Sequence, residues 1–121
     1  MKFRGGEMYL LVDVLEHTEH LSTILERLVK IGVTGTTVLD SVGMGRILLE
    51  SRAEVPVIKV IERVLAEKQP TNKTLFAVIE QEETLKKAIE AITSVCGDLN
   101  EPGKGILFTM SLDFVEGLKK G

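Results

Sequence analysis

Gly32-Val33-Thr34-Gly35-Thr36-Thr37-Val38-Leu39-Asp40-Ser41-Val42-Gly43-Met44-Gly45-Arg46 holds a helix stop, a β-strand and a glycine-punctuated loop in one run. Gly32 can take the left-handed conformation that ends a helix at little steric cost. Thr36 to Val42 is rich in β-branched residues, which suit a pleated strand. Gly43 and Gly45 leave backbone N–H groups uncovered, so an anion can approach the main chain closely, and Arg46 supplies the forked donor that matches a phosphate or carboxylate. A strand that delivers such a loop to the edge of a sheet makes a ligand site.

Upstream, Met8 to Leu15 is an apolar run broken only by Asp13, and its length favours a buried strand over a helix. Thr18 suits a helix N-cap, after which Leu21, Ile24, Leu25, Leu28 and Val29 recur at helical spacing. Strand, helix and the Thr36 to Val42 strand form one β-α-β unit. Downstream the order repeats: a strand over Thr74 to Glu80, a helix over Glu82 to Val95 with Leu85, Ala88, Ile89 and Ile92 on one face, and a closing strand over Ile106 to Leu112. Two such units in tandem predict an α+β, ferredoxin-like βαββαβ fold, a four-stranded antiparallel sheet with both helices on one face. All four strands are apolar on both sides, so the uncovered face is expected to be buried by other copies of the chain. Between the units, Val57, Val60, Ile61, Val64 and Leu65 predict an extra helix over 55–68, inserted between strands 2 and 3.

The 121 residues suit a single domain, divided into a first β-α-β unit (7–42), a loop with the inserted helix (43–72), and a second unit with its tail (73–121). A net charge of −3 with no basic block speaks against nucleic acid, whose backbone needs a concentrated cationic face. One tyrosine and four phenylalanines supply a base-stacking platform poorly. Cys96 is the single cysteine, so no intrachain disulfide forms and a reducing compartment is expected. No apolar run of signal-peptide length precedes the first strand, and none approaches a membrane span of about 18 residues. A cytoplasmic location is the expectation.

The Gly32 to Arg46 stretch resembles the PII nitrogen-regulatory signalling proteins and their PII-like relatives, in which a G-[IV]-T-G turn, a strand and a G-x-G-R loop follow the first helix. Pro102-Gly103-Lys104-Gly105-Ile106-Leu107-Phe108 is similar to that family's second glycine-rich loop, which runs into the last strand. The resemblance implies a homotrimer with loops from neighbouring subunits around an adenine nucleotide (ATP, ADP or AMP). On that alignment Thr34 lies near the base. Gly43, Gly45, Gly103 and Gly105 give backbone access, and Arg46 and Lys104 neutralise phosphate. At the expected ligand site the chain departs from the family in three places. Ile106 stands where the family has a phosphate-binding lysine, Lys104 stands where it has an acid, and lysines near the end replace its basic pair after the last strand. The inserted helix occupies the place of the family's mobile partner-binding loop, and that loop's modifiable tyrosine has no counterpart, since the only tyrosine is Tyr9.

His17 and His20 can share a helix face, yet a structural metal site needs four protein ligands and none is expected here. Cys96 reads as a small buried hydrophobe, and Glu82-Glu83 as a solvated helix start. No nucleophile has a recognisable base and orienting acid, so no catalytic residue and no covalent cofactor is expected. The glycine loops can also be read as turns that the fold requires. The function expected is therefore non-enzymatic sensing of a small anionic metabolite, an adenine nucleotide above others, at clefts between subunits. The inserted helix either packs on its own subunit or meets a protein partner. The alternative is a trimeric scaffold of the same fold without a nucleotide site.

Overall fold

The computed structural model describes residues 8–44, 47, 56–66 and 72–118. Its elements run β1 (Met8–Leu15), a 3-10 turn (Thr18–His20), α1 (Leu21–Lys30), β2 (Thr36–Ser41), α2 (Val57–Ala66), β3 (Asn72–Ile79), α3 (Glu82–Cys96) and β4 (Ile106–Leu112). The sheet order is β2-β3-β1-β4 and every neighbouring pair is antiparallel. β1 and β2 thus point the same way with β3 between them, the split arrangement that tandem β-α-β units produce.

Alternation along β1 divides the molecule into two faces. Leu11, Asp13 and Leu15 point to the helices and are buried, as are Leu75, Ala77 and Ile79 of β3. Ile24 and Leu28 of α1 and Leu85, Ala88, Ile92 and Cys96 of α3 close this core from above. The two helices are also tied together by Arg27, whose Nη1 donates to Ser94 Oγ at 2.6 Å. On the opposite face, Val12 lies between Phe76 and Phe108, and Leu10 between Val78 and Met110. Neither α1 nor α3 covers this side: Phe108 is 41% and Ile106 55% exposed, and Leu39 and Met110 are also exposed.

The α1 helix starts later than its N-cap signal suggested. Thr18 opens a 3-10 turn, and neither this turn nor α1 has a side-chain cap. Its end follows the glycine signal closely. Gly32 N donates to Val29 O at 3.0 Å, and Val33 N to Leu28 O at 2.8 Å, with Val33 packed into the same core as Leu28. Val29, expected on the apolar stripe, is 59% exposed. It lies one residue, about 100° of helix, beyond Leu28, and the core takes Leu28 alone. A helix does lie between β2 and β3 at Val57–Ala66, with Val60 buried and Val57 and Ile58 exposed. Positions 55, 67 and 68 of the expected helix lie outside the described residues.

Candidate functional site

The turn that ends α1 also builds a cavity. About 390 Å³ of space lies between Ile31–Gly35, the end of β3 with Glu80 and Gln81, Thr84 of α3, and Leu118 from the segment after β4. The walls are aliphatic at Ile31, Val33, Val78, Ile79 and Leu118, and neutral but polar at Thr34, Gln81 and Thr84. Among the described residues Glu80 is the only charged one in the lining, and these walls suit an uncharged, partly apolar group rather than a phosphate. α3 begins at this wall without a side-chain cap, and Glu82 and Glu83 in its first turn offset the positive end of its dipole.

Of the described residues expected at a ligand site, Thr34 alone lines this cavity. Gly43 follows β2 at the other end of the sheet, beside Asn72 at the start of β3. Gly103, Lys104 and Gly105 precede β4, also at that far end, since Val14 pairs with Ile106 and Leu15 with Lys73. Gly43 and the Gly103–Gly105 turn therefore share an end of the sheet but follow or precede opposite edge strands, three strand spacings or about 14 Å apart. Within one chain Gly43 does not meet Gly103–Gly105. Thr34 is separated from them by the length of β2, about 20 Å. Gly45 and Arg46 lie outside the described residues. The glycine-loop end is fastened by the Lys73–Asp40 ion pair and by Ser41 Oγ and Thr74 Oγ1, 2.7 Å apart.

One polar group was not singled out as a site residue from the sequence. Asp13 is 1% exposed, and neither carboxylate oxygen has a hydrogen-bond partner. Burial raises its pKa to about 6. The signal was present in the alternation, because Asp13 shares its parity with Leu11 and Leu15 and must point inward with them. At the end of α3, the Cys96 thiol is held above its ordinary pKa by burial first and by the Asp13 charge second, with Lys104 acting the other way. His17 Nδ1 lies 3.5 Å from Glu19 Oε1, and both side chains are exposed. Among the described residues no group of three His, Cys, Asp or Glu could hold a metal ion, and no helix is long and apolar enough to cross a membrane.

The model of the family described as nitrogen regulatory protein P-II matches residues 9–121. Among solved structures, the chain is similar to Arabidopsis thaliana PII bound to citrate, with a TM-score of 0.59 and 18% identity over 88% of this chain and 78% of that one. It is similar to the B. subtilis GlnK–ATP complex at a TM-score of 0.55 and 14% identity, covering 91% of this chain and 85% of that one. A second B. subtilis GlnK structure gives a TM-score of 0.52 and 16% identity over 87% and 84%. At these identities the structural likeness bears on the fold alone. No curated protein matches the chain.

Proposed function

Because the chain belongs to the nitrogen regulatory protein P-II family over residues 9–121, we propose that it is a non-enzymatic regulator that senses an adenine nucleotide at clefts between the subunits of a homotrimer. The observation that carries this reading is the cavity beside Thr34. Its volume is that of a small-molecule site, and its described walls, aliphatic and neutral polar apart from the acidic Glu80, favour a base over a phosphate. The phosphates then fall to Arg46 and Lys104, with Gly43, Gly45, Gly103 and Gly105 giving backbone access. The placement of Gly43 and Gly103–Gly105 beside opposite edge strands, about 14 Å apart, favours a site shared between copies. The open apolar face gives those copies a reason to associate, since Leu39, Ile106, Phe108 and Met110 would leave water together. Two of the similar structures hold anions by their titles, ATP in one and citrate in the other, which fits an anionic ligand here.

On this reading α2 stands in for the family's mobile loop, and its exposed Val57 and Ile58 face a protein partner whose binding depends on the ligand state. The buried thiol suits a cytoplasmic protein. A trimeric scaffold is the second reading, favoured by the absence of Lys and Arg among the described residues of the cavity lining and by Ile106 at the family's lysine position. Calorimetric titration with ATP, ADP and AMP separates the two. Sensing predicts saturable heat with at least one of them, weakened about tenfold by Arg46→Ala and by Lys104→Ala, a typical loss for one charge-assisted phosphate contact. No heat from any of the three nucleotides leaves the scaffold.

A further inference from the structure

The segment after β4 crosses the molecule. β4 is the edge strand beside β1, and its last residue, Leu112, pairs with Met8. Leu118 nevertheless lines the Thr34 cavity, whose walls are the start of β2 and the end of β3, on the far side of β1. The end of the sheet is about 14 Å wide between those edges, and the six residues from Asp113 to Leu118, which reach about 20 Å when fully extended, are enough to cross it with a bend.

No residue of that crossing is buried. Val115 and Leu118 are half-buried and the rest are exposed, whereas the fixed walls Val33 and Ile79 are 5% and 3% exposed. Gly117 has φ +93 and open space where a Cβ would stand, so the left-handed bend rather than crowding calls for glycine. That bend comes immediately before Leu118. We propose that Asp113–Leu118 is a strap that closes the Thr34 cavity from within the same chain, with Gly117 as its bend and Leu118 as its plug. A ligand entering the cavity displaces Leu118 from the aliphatic walls at Ile31 and Val78. The closure rests on Leu118 lining the cavity, and the displacement rests on the reading of the cavity as a ligand site.

Hydrogen exchange on the full chain, on Leu118→Ser and on Gly117→Val tests the closure without any ligand. Both variants are expected to speed exchange at Val33–Gly35 and Gln81–Thr84 about fivefold or more while β1 and β3 amides keep their protection. Unchanged exchange at those turns in both variants overturns the strap. ATP titration of the same three proteins tests the displacement, and Leu118→Ser is expected to bind about fivefold more tightly than the unaltered chain, because no plug has to leave. Weaker binding by Leu118→Ser makes this residue a permanent wall and overturns the displacement. If none of the three binds ATP, the nucleotide reading of the cavity fails, and the exchange result still decides the closure.

Discussion

Asp13 shows what a single side chain costs when alternation sends it inward. It occupies the central strand with Leu75 and Leu107 as its cross-strand neighbours, and neither of its oxygens is paired. Burial lifts its pKa from 3.8 to about 6, so between those values the folded chain holds this proton more tightly than the unfolded chain does. Stability therefore rises as pH falls through about 6 and levels off below 3.8, opposite in sign to a salt-bridged carboxylate. Asp13→Asn removes the titration and is expected to stabilise the fold at pH 7 by on the order of 2 kcal/mol. Urea unfolding at pH 7 and pH 5 checks this. The unaltered protein should gain stability at the lower pH relative to the variant, and a constant difference between the two would contradict the account.

At the scale of elements, the connection from α3 to β4 is clamped on β1 by a close approach. A Cβ on Gly105 would lie 2.1 Å from the Val14 carbonyl oxygen, and its φ is +95. Gly105→Ala must push the start of β4 away from β1 and is expected to cost about 2–4 kcal/mol. Gly103→Ala meets nothing within 4 Å. Its backbone strain alone costs about 1 kcal/mol. Thermal unfolding of the two variants distinguishes them, and equal losses would remove the clamp. The elements themselves were largely legible in the sequence, because periods of 2 and 3.6 are written in the side chains: β1 and β4 have the expected bounds, and α3 buries Leu85, Ala88 and Ile92 as expected. Less legible was the start of α1, where Thr18 carries a capping side chain but the chain makes a 3-10 turn first. Which edge each strand takes is a matter of pairing, so the separation of Gly43 from Gly103–Gly105 could not be read from spacing. The cavity was hidden for the same reason, since Ile31–Gly35, Val78–Gln81 and Leu118 meet only in the folded chain.

For the whole molecule, the open sheet face and the cavity are parts of one argument. Leu39, Phe108 and Met110 expose apolar surface on the side that α1 and α3 leave uncovered, and association of copies through it would bring loops from different chains together. In the proposed homotrimer, Phe108→Asp in β4 is expected to leave monomers at micromolar concentration and to abolish the proposed nucleotide binding with it. Sedimentation velocity reads the first effect, and an unchanged sedimentation coefficient would detach the face from assembly. The most direct test of the central claim is amide chemical-shift mapping of the unaltered protein during titration with ATP. The account predicts saturable shifts at Gly32–Gly35 and Glu80–Thr84 together with shifts at Gly43 and Gly103–Gly105. The absence of shifts at both groups with millimolar ATP, or shifts confined to residues away from both, would contradict it.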